Sequence, residues 1–138
     1  MSTDDASKEA NKVDSVHWKN DPDDHDYPAA ANYLGLLATS NVASALADRL
    51  KTAPLVTFKA KDILRAARLP RLTGSDPHVK IDLNKAADGV DWAPVLLIRG
   101  DIRQDLPTTI ADGYHRVCAS YLLNENTDIP ARIIDLNS

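Results

Sequence analysis

PVLLIRGDIRQDLPTTIADGYHRVCASYLLNENTDIPARIIDL, residues 94–136, decides how this chain folds. It opens on PVLLIR (94–99), a continuous apolar run of the length expected for a strand covered on both faces. TTIA (108–111) reads as a second strand and ARIIDL (131–136) as a last one. Between them, HRVCASYLL (115–123) places Val117, Cys118, Tyr121 and Leu122 along one face of a helix. Strands and helices in interrupted order call for a mixed α+β (α/β) domain in which helices pack on a small sheet.

Working outward, LVTFK (55–59) is a further short strand, while DILRAARL (62–69) and HVKIDLNKAA (78–87) have helical spacing. In the second of these, Val79, Leu83 and Ala86 or Ala87 form the apolar face. Upstream, Asp26 can cap a helix that tolerates Pro28 in its first turn and aligns Ala30, Tyr33, Leu34 and Leu37. Ser40 or Asn41 can cap another, with Val42, Leu46 and Leu50 repeating until Pro54 ends the pattern. The expectation is a domain over 28–138 that begins with a helical hairpin at 28–52, which itself needs a sheet to pack on.

Charge divides the chain unevenly. Of 138 residues with a net charge of −4, the first 27 carry −5 and the rest +1. So polar a segment has little apolar surface to offset its ordering entropy, and 1–27 is expected to be a disordered acidic tail. The alternatives are a partner-binding arm anchored by Trp18, or an acidic mimic of an anionic ligand. No signal-peptide pattern and no membrane-length apolar run are present, so a cytoplasmic protein without membrane contact is expected. A lone cysteine, Cys118, permits no internal disulfide, and four scattered histidines lack metal-ligand spacing, so no transition-metal site is expected.

IADGYHRVCAS (110–120) carries the chemistry. A strand ends in a glycine turn, and His115 and Arg116 then open a helix whose first amides have no intrahelical partner. Gly113 leaves the main chain bare toward a ligand, the helix start carries a partial positive charge, and Arg116 can fork onto a phosphate or carboxylate. The alternative is a well-capped turn with a surface histidine and arginine. Cys118, on the apolar face, reads as a structural thiol. His78, beside Pro77, is a base or simply a helix-start residue.

The run 94–136, with its order of strand, excursion, strand, G-x-x-R turn, helix and IP-containing strand, resembles the C-terminal half of the ParB/sulfiredoxin-like fold. It is also similar to an uncharacterised bacterial family of that fold with an ADGYHR motif. The resemblance extends to 55–136 in element order. It implies that nucleotide phosphates lie against Gly113, Tyr114, His115 and Arg116, and that Ile129 and Pro130 lead into the edge of the sheet. Pro70, Arg71 and the Gly74, Ser75 turn fall where related domains bring a loop over the nucleotide, making Arg71 the second phosphate contact. ATP or CTP with Mg²⁺ is the implied cofactor, with Asp112 as the carboxylate for a metal or general-base role and His115 as its catalytic companion. Tyr114 stands where sulfiredoxin has its reactive cysteine, so that activity is not expected. The helix-turn-helix reader of a ParB partitioning clamp does not follow before Ser138, so a clamp is not expected either.

Lys61, Arg65 and Arg68 recur on one helical stripe with Arg71 beyond it, and 59–71 carries a net +4. Such a stripe can track phosphates, which adds Lys61 to the ligand-binding candidates; its alternative is a solvated face. The functional expectation is therefore a domain binding a nucleotide or another phosphorylated small molecule, with hydrolysis or phosphoryl transfer as the reactions open to it. The alternatives are a non-catalytic regulatory or DNA-associated module using the basic stripe, and an interaction module using the tail. The overall charge of −4 weighs against DNA binding by bulk electrostatics.

Overall fold

Every side chain from Val95 to Ile98 is buried, which requires cover on both faces of the strand they form. The computed structural model describes residues 16–137 and shows where that cover comes from. Its elements are α1 (Asp26–Leu34), α2 (Ser40–Thr52), β1 (Leu55–Lys59), α3 (Ala60–Ala67), α4 (Pro77–Ala87), β2 (Val95–Arg99), a 3₁₀ turn (Ile102–Gln104), β3 (Thr109–Asp112), α5 (Tyr114–Leu123) and β4 (Asp128–Asp135). The four strands form one mixed sheet in the order β1-β4-β2-β3. β4 runs antiparallel to β1 and parallel to β2, and β3 is antiparallel to β2.

The sheet separates two apolar cores. On one side Val95, Leu97, Ile110, Ile129 and Ala131 meet Ile63, Leu64, Val79, Val117 and Cys118 from α3, α4 and α5. On the other, Leu96, Ile98, Ala111 and Ile134 meet Tyr27, Ala30, Leu34, Leu46 and Leu50 from the α1–α2 hairpin. Alternation along β2 thus feeds both cores, because successive side chains point to opposite faces. The expected α+β class, the hairpin and its sheet support are all present.

Details of the expectation change. α1 turns Tyr27 inward and leaves Tyr33 and Leu37 exposed, so its buried stripe is Tyr27, Ala30 and Leu34. Thr39 caps α2, its hydroxyl accepting from the Val42 amide at 3.4 Å, and Ala43 replaces the exposed Val42 in the core. β4 starts earlier than expected and lies inside the sheet; the edges are β1 and β3, so Ile129 and Pro130 do not lead to an edge.

The largest correction concerns the acidic segment. Residues 1–15 lie outside the described residues, but 16–27 are folded onto the domain. Trp18 forms a bridge beside Trp92, with Lys19 N donating to Trp92 O at 2.8 Å and Trp92 N to His17 O at 3.0 Å. The two indoles meet edge to face, with centroids 5.4 Å apart. Asp21 accepts from Arg132 of β4 at 2.9 Å, and Asp26 is buried at the start of α1. Charge counting missed this because two large aromatic groups and two specific carboxylate contacts anchor the segment despite its polarity.

Candidate functional site

β3 delivers Asp112 to the turn through an irregular register. Leu96 pairs with Asp112 and Leu97 with Ile110, so Ala111 is an extra residue that bends the strand end. Gly113 follows at φ +106 and serves as the N-cap of α5, with no side-chain cap on the first turn. A methyl group added at Gly113 would lie 2.5 Å from Cγ1 of the buried Val95. The glycine is therefore demanded by backbone conformation and by close packing on β2, which replaces the expectation that it clears a path for a ligand.

Arg116 points back into the protein. Its Nη2 donates to Asp112 Oδ2 at 2.9 Å and to Pro94 O at 3.3 Å, and stands 3.9 Å from Asp26 Oδ2. Its side chain is only 18% exposed. Burial pushes the Asp112 carboxyl above its ordinary value, against the pull of the Arg116 charge and hydrogen bond. Arg116 thus ties the ends of β2, β3 and α1 together, which is the carboxylate-clamp role rather than an open phosphate fork.

Tyr114 is also engaged: its hydroxyl donates to Pro70 O at 2.5 Å, fixing the loop after α3 against α5. On the same side of α5, the Leu72 amide donates to Cys118 Sγ at 3.4 Å, and burial raises the Cys118 thiol pKa. A buried thiol held in its neutral form suits the structural role expected of it.

His115 is the member of the motif that meets a new partner. Its ring lies 4.7 Å from that of His78 at the start of α4, centroid to centroid. Asp76 caps α4 by accepting from the His78 and Val79 amides at 2.9 and 3.1 Å, and those bonds, Val79's first, lower its pKa. One turn along α4, Asp82 is raised by burial while lying in the field of Arg116, His115 and His78. Two helix starts, one capped by Asp76 and one without a side-chain cap, converge with two imidazoles between them.

On the Asp26 side, Asp23, His25 and Asp26 bring potential ligand atoms within 4.8 Å of one another. Existing pairs already use them: Asp23 accepts from Lys19 Nζ at 2.8 Å, which lowers its pKa, and Asp26 Oδ2 accepts from the Asp23 amide at 3.0 Å. Sequence reading assigned this cluster to the tail, and Asp82 offered no motif spacing; both reach the turn only through tertiary packing.

Lys61 and Arg71 do not join the turn. The Lys61 amide donates to Glu125 O, just past the C-terminal end of the ten-residue α5 and hence about 15 Å along the helix from Gly113. Arg71 lies over the Tyr121 ring at 5.4 Å, on the side of α5 that faces the 70–72 loop. The chain matches no protein-family model, no curated protein and no solved structure. Among the described residues, no helix is long and apolar enough to cross a membrane.

Proposed function

We propose that the chain binds a phosphorylated small molecule at the start of α5, with a nucleotide as the class favoured by the resemblance of 94–136 to the ParB/sulfiredoxin-like fold. The observation that supports this most is the convergence of His115 and His78, 4.7 Å apart, on a helix start that has no side-chain cap. Free amides at a helix N-terminus suit an anion, and imidazole nitrogens add donors beside it. Gly113 sets the turn, Tyr114 braces the neighbouring loop, and Arg116 positions the helix start through Asp112.

The fit to Mg²⁺-nucleotide is a matter of the donor set. Asp112 and Asp82 are carboxylates close to the turn, and Asp23 and Asp26 adjoin it through Arg116. Bound there, Mg²⁺ would offset the repulsion between these acids and a phosphate. Asp112 would have to exchange its bond to Arg116 for that role. The acids in the field of the two imidazoles are Asp76 and Asp82.

A thermal-shift panel with ATP, CTP, GTP and their diphosphates, with and without Mg²⁺, tests the reading. Ligand at 100 times its dissociation constant should add about 2.7 kcal/mol of apparent stability. His115→Ala and His78→Ala should abolish that gain without lowering the unliganded melting temperature by more than a few degrees. Equal shifts in wild type and in both variants would overturn the assignment of the site, and no shift at millimolar nucleotide would overturn nucleotide as its ligand.

A further inference from the structure

The second concentration of unassigned chemistry lies on the opposite flank of α5. Leu64, Arg65, Arg68, Leu69, Arg71 and Tyr121 line a shallow surface depression of about 500 Å³. Leu64, Leu69 and Tyr121 supply its apolar and aromatic lining, and Arg65, Arg68 and Arg71 its cations. Arg65 and Arg68 come from α3 and its C-terminal cap, while Arg71 arrives from the following loop and lays its guanidinium over Tyr121. Arg68 ends α3 in the left-handed conformation, φ 56, which few arginines adopt. That turn sends the chain on toward Tyr121.

The arginine contacts are of an exchangeable kind. Arg65 pairs with Asp62 at 3.3 Å with its side chain 85% exposed, and Arg68 pairs with the exposed Asp105. Solvent-exposed pairs of this sort contribute little and give way readily to a phosphate, which offers arginine a bidentate partner. The stripe 59–71 holds a net +4 in a chain of net −4, so attraction is local to this face.

We propose that this depression binds single-stranded nucleic acid, with successive phosphates on Arg65, Arg68 and Arg71 and a base that takes the place over the Tyr121 ring as Arg71 moves from it to a phosphate. An open depression lined by three arginines fits an extended polyanion better than an enclosed small molecule. An aromatic ring among guanidinium groups suits bases whose faces are free, which a duplex does not offer. The site lies on a different flank of α5 from Arg116. Tyr114, Cys118 and Tyr121 share the flank that meets the 70–72 loop, whereas Arg116 faces Asp112 and Pro94.

Fluorescence anisotropy of a labelled twelve-nucleotide oligothymidylate with the full chain tests this, alongside a duplex of equal length and inorganic polyphosphate as competitor. Three neutralised phosphates should give a log–log salt slope of about −2, and each of Arg65→Ala, Arg68→Ala and Arg71→Ala should flatten it by about 0.7. Tyr121→Leu, which keeps an apolar side chain in place, should weaken binding by about five- to a hundredfold by removing the stack. A circular-dichroism melt of each variant confirms that the fold persists. Absence of binding at 50 mM salt, on the order of a Debye length near 15 Å, would overturn the proposal. So would equal affinity for the duplex, or a salt slope indifferent to the three arginine substitutions. Displacement by polyphosphate together with full retention of affinity in Tyr121→Leu would also overturn it, by showing a polyanion surface without base contact.

Discussion

Arg116 and Arg71 flank the same helix and have opposite fates. Arg116 is turned toward the sheet, where Asp112, Asp26 and the Pro94 carbonyl surround it. Arg71 stays at the surface and spreads over Tyr121. The difference teaches that a basic residue in a glycine turn is not thereby a ligand contact. Where carboxylates from neighbouring elements converge on it under partial burial, its charge is absorbed by the fold. Where it meets only an aromatic face and solvent, its charge remains available to a partner.

The inner region should be costly to disturb, and the turn itself most of all. Gly113→Ala combines a positive φ with a methyl group driven into Val95, which is fully buried in the core beneath α3, α4 and α5. Left-handed backbone for a residue with a Cβ costs roughly 1–2 kcal/mol and overpacking roughly 1–3 more, so a loss of about 2–5 kcal/mol is expected in denaturant unfolding. A loss below about 1 kcal/mol would show that the turn is more pliant than its packing indicates.

Arg116→Ala comes next, at about 2 kcal/mol, because it leaves a part-buried Asp112 without its charged partner. Arg116→Lys should recover part of this, since an ammonium keeps the charge and loses the fork. Measured on the same preparations, nucleotide affinity relative to the melting temperature separates a positioning role from direct contact. A large affinity loss with an unchanged melting temperature would return Arg116 to the ligand and erase the contrast with Arg71.

The burial of Asp112, which outweighs its pairing with Arg116, should show in acid. Because burial raises the Asp112 pKa in the folded chain, the folded state holds that proton more tightly than the unfolded one. Its stabilising contribution is therefore complete below the ordinary value of 3.8 and disappears as pH rises through the raised value. The melting temperature of wild type minus that of Asp112→Asn should accordingly fall as pH increases across that window. Asp76, lowered by its cap bonds, works in the other sense, contributing above 3.8 and losing its contribution as pH falls. Parallel melting curves for wild type and Asp112→Asn would remove the buried-carboxylate account.

The smallest structural effect is expected at the outer arginine. Arg71→Ala should change stability by no more than about 0.5–1 kcal/mol, the scale of an exposed cation–π contact. Its consequence should be confined to the salt dependence of oligonucleotide binding. A drop in melting temperature comparable to that of Arg116→Ala would mean that both arginines are scaffold.

What the sequence determined by itself is whatever depends on near neighbours along the chain. The unbroken apolar run 95–98 demanded a strand covered on two faces, the repeats at Leu46 and Leu50 or Val117 and Cys118 demanded buried helix faces, and Gly113 marked a strand-to-helix turn. Periods of two and 3.6 residues are local properties, so they were legible. Which charges meet was not, because it depends on elements far apart in sequence. Only tertiary structure brought Asp26 of α1 to Arg116, His78 and Asp82 of α4 to His115, and Trp18 of a strongly acidic segment to Trp92. It likewise moved Lys61 and Arg71 away from the turn. A side chain's charge is written in the sequence, but whether that charge is spent inside the fold or left for a ligand depends on burial and on partners that folding alone assembles.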